Sequence, residues 1–409
     1  MSAQSTRLHR PLPQSLPATI PSAAHRVLTL LTHLQHGQLD LQTPEGQMLH
    51  FGQGQPRASL RIRDWAVCEA TLAGGDVGFA ESYLEGHWST PDLAGLLRLF
   101  LRNREALEQL IYGGFWGGLL HRVQHLLRRN TRAGSRKNIS AHYDLGNAFY
   151  KLWLDPSMNY SSAWFETGDR SGDLRTAQDA KMRRALQEAG VQPGQRVLEV
   201  GCGWGAVAEL AARDFGATVT GVTLSTEQLA FAQQRLQAQG LAGDLRLQDY
   251  RDIPDGPFDA LVSIEMFEAV GREYWAGYFE TVRRQLKPGA RACIQTITIR
   301  DELFDRYVRG SDFIQQYVFP GGLLPSPSEF RKAAARAGLQ VVNELAFGPD
   351  YAETLRRWRA DFLRHEPQVR EQGFDLRFVR LWEFYLAYCE AAFDTGSTDV
   401  MQFTLQAVV

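Results

Sequence analysis

The sequence predicts an α/β protein: a mostly parallel, seven-stranded sheet with helices on both faces, preceded by a smaller, mainly helical N-terminal domain. Three observations predict it. From about residue 136, strand-like and helix-like stretches alternate, the pattern of a Rossmann-like doubly wound sheet. Residues 197–205 (VLEVGCGWG) run from a short apolar strand into a glycine turn and then a helix. Upstream, apolar residues recur at helical spacing between Leu93 and Leu127.

The elements follow in order. Residues 1–25, rich in Pro, Ser and Ala, read as a disordered N-terminus. A compact segment over 26–130 holds alternating stretches at 39–42 (LDLQ) and 60–63 (LRIR) before the helical run. A helix over 173–190 stops at Gly190, with Pro193 just beyond. Strands are expected at 196–200, 218–222, 245–248, 258–264, 290–299, 341–347 and 399–408. Helices are expected between them at 206–215, 226–239 and 273–286, with an excursion over 300–335. Ser225 caps the second of these, with Gln228 at the capping-box position. Ligands bind such sheets beyond the carboxyl ends of the strands, so those loops should carry the site.

Composition narrows the function. The 409 residues can hold one large and one smaller domain, and 44% hydrophobic with 22% charged residues is ordinary for a soluble globular chain. A net charge of −2 gives no global attraction to nucleic acid. Cys68, Cys202, Cys293 and Cys389 are scattered without a CxxC pair, so neither a metal site nor a disulfide framework is expected. That usage suits a reducing cytoplasm. No apolar run nears the roughly 20 residues that span a bilayer, and the N-terminus lacks a signal-peptide core.

The glycines at 201, 203 and 205, with Glu199 before them, differ from the dinucleotide GxGxxG and match the pattern of S-adenosylmethionine-dependent methyltransferases. Such a cofactor has a ribose, an adenine and a sulfonium to accommodate. Thr223, Leu224 and Gln228 offer polar groups and one apolar wall after the second strand. Asp249, Tyr250 and Arg251 follow the third, offering a carboxylate and a ring for adenine; Asp249 could equally be a helix cap.

Further motifs sharpen the reading. HYDLGN (142–147), YSSAWF (160–165), GVTLSTEQ (221–228), QDYRD (248–252), SIEMFEAVG (263–271) and FPGGLLPS (319–326) appear in order with the glycine loop. Together they resemble the cyclopropane-fatty-acyl-phospholipid synthase family over residues 136–409. The resemblance implies a class I methyltransferase fold and adds Tyr143, Tyr160 and Ser161 to the cofactor-binding set. It implies transfer of a methyl(ene) group from S-adenosylmethionine to the double bond of an unsaturated acyl chain in a membrane phospholipid. Methylation of an alkene leaves a carbocation, which needs aromatic faces and a base that removes a proton to close the cyclopropane. Tyr143, Tyr160, Trp164, Phe267, Tyr307, Tyr317 and Tyr351 are the aromatic candidates.

The family's base is a bicarbonate ion held by a Cys, a Glu, a His, a backbone group and a late Tyr. The matching positions here are Ser162, Glu268, Gln295, the backbone of Ile297, and Tyr351, so the Cys and the His are replaced. An altered base shell leaves open a methylene- or methyl-branched product in place of the ring. Cys389 falls at the place of a late family Cys, but its apolar neighbours suggest a packed helix face.

The substrate lies in a bilayer. Between Arg98 and Lys137 stand nine Lys/Arg against Glu105 and Glu108, around an apolar insert at 111–120 (IYGGFWGGLL). Such a segment suits an anionic membrane surface, making 26–130 an accessory lipid-binding domain on the inner face of the membrane. The other reading is a solvated helix face. A homodimer is expected from the resemblance alone. Two rival functions stand: a methyltransferase for a soluble small molecule, and a cofactor-binding protein that has lost catalysis.

Overall fold

The computed structural model describes residues 20–107 and 145–407. Tyr143, the 111–120 insert and the basic positions 122–137 lie outside the described residues. The chain divides into two compact units, and the division is not linear: the segment Leu376–Ala391 belongs with the N-terminal unit.

In the N-terminal unit the two alternating stretches become β1 (Gly37–Gln42) and β3 (Arg57–Ile62), joined by β2 (Met48–Gln53) and the short β4 (Trp88–Ser89). The order is β2-β1-β3-β4, so this unit carries a four-stranded sheet beside its helices. Leu39, Leu41, Leu49, Phe51, Leu60 and Ile62 are buried, as period-two alternation requires. The helix Leu93–Arg102 starts at Asp92, whose side chain accepts from Gly95 N at 2.9 Å. Helix Ser22–Leu31 begins inside the stretch expected to be disordered. Residues 376–391 join this unit through Tyr83 Oη to Glu383 (2.7 Å) and Tyr388 Oη to Asp76 (2.9 Å).

The second unit is built on a seven-stranded sheet of order β10-β11-β9-β8-β5-β6-β7. Its strands are β5 (Arg196–Val200), β6 (Thr218–Thr223), β7 (Gly243–Leu247), β8 (Phe258–Ile264), β9 (Leu286–Ile299), β10 (Leu339–Ala346) and β11 (Thr398–Ala407). Pairs among β5 to β9 are parallel; β11 is antiparallel to both β9 and β10. Central β8 is buried on both faces over residues 260–263, which suits its apolar run Ala260, Leu261 and Val262. The excursion contains helices Asp301–Arg309, Phe313–Tyr317 and Pro327–Arg336. Ser225 caps Thr226–Ala238 by accepting from Gln228 N, but the Gln228 side chain is used elsewhere: its Oε1 accepts from Thr223 Oγ1 at 3.0 Å. Among the described residues no helix is long and apolar enough to cross a membrane.

The turn after β5 needs glycine at a specific point. Gly205, at φ +81°, starts the helix Ala206–Phe215, and a Cβ there would lie 2.8 Å from Ala232 Cβ. Gly205→Ala should therefore cost about 2–4 kcal/mol, combining left-handed strain with overpacking. Denaturant unfolding measures it, and a loss below about 0.5 kcal/mol, the range of ordinary surface changes, would contradict the account.

Candidate active site

The loops after β5 and β6 carry the residues expected to bind the cofactor. Gly201 (φ +86°) packs against Met266, while a Cβ on Gly203 would meet nothing within 4 Å. The turn therefore leaves open space at its tip. Glu199 is buried, and its Oε2 has no hydrogen-bond partner among the described residues. Burial pushes its carboxyl well above the usual range. An orphaned acceptor beside an open glycine turn fits a cationic ligand group such as the ammonium of S-adenosylmethionine. Trp204 Nε1 donates to Asn147 Oδ1 (2.7 Å), which ties the HYDLGN segment to this turn. Thr223 and Gln228 are hydrogen-bonded to each other, with Leu224 beside them.

After β7, Asp249 is a cap: it accepts from Arg251 N and pairs with the Arg251 guanidinium. The ring of Tyr250 packs edge-on against Tyr278, with centroids 5.5 Å apart. That leaves these three side chains engaged with one another and with the core.

The strongest convergence lies after β8, at a residue that the sequence reading passed over. Glu265 is in a left-handed conformation (φ +50°), uncommon for a residue with a side chain. Its backbone N donates to Gln295 O (2.8 Å). Its Oε1 accepts from Ser162 N (2.9 Å) and Gln295 Nε2 (2.8 Å), and its Oε2 accepts from Tyr351 Oη (2.6 Å). Burial raises its pKa, while the positive charge of Lys181, Tyr351, Ser162 N and Gln295 oppose the rise.

Gln295 is held in one orientation. Its Oε1 accepts from Gln402 Nε2 (3.0 Å), and Gln402 Oε1 accepts from Arg184 (2.6 Å). The antiparallel register places Gln402 directly opposite Gln295. With its oxygen occupied, the Gln295 amide can only donate to Glu265.

Glu268, three residues on, is half-buried, with its Oε2 out of contact with water. Its Oε1 accepts from Ile297 N at 2.5 Å, and Oε2 makes no hydrogen bond among the described residues. Burial first, and the charge of Glu265 second, push Glu268 up to about 8. Two carboxylates this close do not both ionise readily. The donors gather on Glu265, which leaves Glu268 as the carboxyl pushed further toward its protonated form. Glu268 O also accepts from Leu323 N (2.8 Å), anchoring the FPGGLLPS loop.

The aromatic candidates divide. Tyr160 packs on Tyr150 (5.5 Å), Trp153 (5.4 Å) and Trp358 (5.6 Å), and Trp358 also meets Tyr351 (6.2 Å). This places a wall of rings next to the Glu265 carboxylate. Phe267 is fully buried in the core, Tyr317 stacks on Phe313, and Tyr307 Oη holds the loop through Leu324 N (3.3 Å). Trp164 packs against Arg184.

The family model for mycolic acid cyclopropane synthetase matches residues 130–403. The chain belongs to that family. It is 39% identical to a tuberculostearic acid methyltransferase of Mycobacterium tuberculosis, over 87% of this chain and 84% of that protein. It is 35% identical to the cyclopropane-fatty-acyl-phospholipid synthase of Escherichia coli, over 85% of this chain and 88% of the relative. A mycolic acid cyclopropane synthase solved with SAH and CTAB superposes with a TM-score of 0.62 at 33% identity, covering 66% of this chain and 98% of that one. The protein is thus an S-adenosylmethionine-dependent methyltransferase of the cyclopropane synthase type.

Within this cyclopropane synthetase chain, the positions expected to hold bicarbonate meet side by side but hold something else. Ser162 N, Gln295 and Tyr351 all donate to Glu265, and Ile297 N donates to Glu268. The Ser162 hydroxyl is turned away, donating to Ala163 O at 2.8 Å. With these donors spent on built-in carboxylates, the residues present do not fit a bicarbonate ion. Cys389 is half-buried in Leu376–Ala391, the segment assigned to the N-terminal unit, whereas the other catalytic candidates belong to the second unit. One signal for Glu265 was present in SIEMFEAVG: a second acid three residues before Glu268, in the same loop.

Turnover in bicarbonate-free, degassed buffer should therefore equal turnover in bicarbonate-supplemented buffer. A rate that climbs with added bicarbonate would contradict this reading of the donor set.

Proposed function

We propose that the enzyme methylates the double bond of unsaturated acyl chains in membrane phospholipids and closes a cyclopropane ring, with Glu265 as the proton acceptor. One observation carries the reading: a half-buried, left-handed glutamate collects the donors of Ser162, Gln295 and Tyr351 beside a wall of aromatic rings. Gly201, Gly203, Gly205, Glu199, Thr223 and Gln228 would hold the cofactor. Bound S-adenosylmethionine supplies an electrophilic methyl group on a sulfonium that leaves as a neutral thioether.

The double bond spends its π pair on the new C–C bond, leaving a carbocation on the neighbouring carbon. The rings of Tyr160, Trp358 and Tyr351 and the negative Glu265 stabilise that cation. Glu265 then takes a proton from the transferred methyl, and the freed C–H pair closes the ring. The sequence balances with release of one proton and needs no reductant, whereas a saturated methyl branch would need one. The excess of basic residues between Arg98 and Lys137 supports a source of lipid at an anionic membrane surface.

Replacement of the family Cys and His by Ser162 and Gln295 supports retained chemistry, since both positions still serve a carboxylate. Purified protein, methyl-labelled S-adenosylmethionine and dioleoyl phosphatidylglycerol vesicles should yield labelled fatty acids one CH2 heavier. NMR of those products should show cyclopropane protons. Label confined to a soluble acceptor, or vinylidene protons in place of ring protons, would overturn the substrate or the product respectively.

A further inference from the structure

Lys181 lies on the helix Leu174–Glu188, outside every motif that marked the family, and is fully buried. Taking an ammonium out of water costs several kcal/mol, so a buried lysine needs compensating charge and hydrogen bonds. Its Nζ donates to Ser161 Oγ at 2.5 Å. The charges it meets are Glu265 from the loop after β8, Asp155 from the segment before YSSAWF, and Asp179 on its own helix.

These three carboxylates are not equivalent. Asp155 is already satisfied by Ser157 N and Oγ, each at 2.8 Å, and Asp179 pairs with Arg175 at 3.1 Å near the surface. Glu265 is half-buried and forms no arginine ion pair among the described residues, and of the three its charge acts most strongly on Lys181. Lys181 also reaches both flanks of the Glu265 donor set. Ser161, which it grips, precedes the donor Ser162 in the chain. The Lys181 backbone oxygen accepts from Gln402 Nε2 (3.0 Å), the same amide nitrogen that holds Gln295.

We propose that Lys181 is a positioning residue that keeps Glu265 charged and ready to accept a proton, and that fixes Ser162 N against it through Ser161. It touches neither lipid nor cofactor. The proposal rests on Glu265 being the proton acceptor. The groups that face Glu265 are Lys181, Gln295, Tyr351, Ser162 N and, repulsively, Glu268. Burial lowers Lys181 to about 8, so at neutral pH it remains mostly cationic. Without that charge, the largest influence opposing the burial of Glu265 is gone and its proton affinity rises.

The test follows the infrared carboxyl band that disappears in Glu265→Gln, titrated from about pH 5 to 9 without substrate in wild type, Lys181→Met and Lys181→Arg. In wild type the band should be absent at pH 7. In Lys181→Met it should persist about one pH unit or more higher, a tenfold change in proton affinity, and Lys181→Arg should bring it back toward wild type. The acid limb of kcat should move with the band. An unchanged midpoint in Lys181→Met overturns the proposal. So does a wild-type Glu265 already protonated at pH 7, a result that stands even if Lys181→Met fails to fold. Separately, a Glu265→Gln variant with the wild-type rate would overturn the proton-acceptor reading while leaving the band shift to decide whether Lys181 sets the charge.

Discussion

An ionised carboxylate withdrawn from water loses hydration worth several kcal/mol unless the protein replaces it with aligned donors and opposite charge. The half-buried Glu265 carboxyl is given such donors, and the site is arranged around them. A backbone amide from the YSSAWF segment, an amide from β9 and a phenol from the helix Gly348–Arg364 all converge on its two oxygens. Remove the carboxylate and these groups face one another without an acceptor. The left-handed backbone at Glu265 is maintained because the donors and the bond to Gln295 O over-determine it.

The sheet supplies the precision. Parallel β5 and β8 end beside each other, which brings the glycine turn and the loop of Glu265 and Glu268 to one edge. Antiparallel β11 then sets Gln402 against Gln295, and the run from Arg184 to Gln402 to Gln295 to Glu265 fixes each amide. Such a run is stiffer than isolated bonds, since every member is satisfied only in one orientation. The two glutamates divide the work by environment. Glu265 has the donors; Glu268 has one backbone N–H, a buried free oxygen and a negative neighbour, which together raise its proton affinity.

Local features were legible in the sequence. The strand and glycine turn at 197–205, the Ser225 cap and the parallel succession of strands depend on neighbours in the chain, and the structure has them all. The site was half legible. Ser162, Gln295 and Tyr351, expected around an added anion, meet instead on Glu265, and Ile297 N meets Glu268. Glu265 becomes visible only when residues 103, 30 and 86 positions away in sequence fold onto it. Lys181 gave even less signal, because one lysine on a polar helix reads as solvated. The four-stranded N-terminal sheet was under-read for a related reason: β1 pairs in parallel with β3 across an intervening strand, which two short alternating stretches do not announce.

On the proposed mechanism, a built-in carboxylate does the work for which the family uses a separate anion. Glu265→Gly tests it most directly, since the left-handed backbone there accepts glycine and the donors of Ser162, Gln295 and Tyr351 are then left open. Measured as kcat on unsaturated phospholipid vesicles, the variant should lose activity by about 10²–10⁴-fold and regain a substantial part of it when formate or bicarbonate is added. A Glu265→Gly enzyme that keeps the wild-type rate with no added anion would contradict the account.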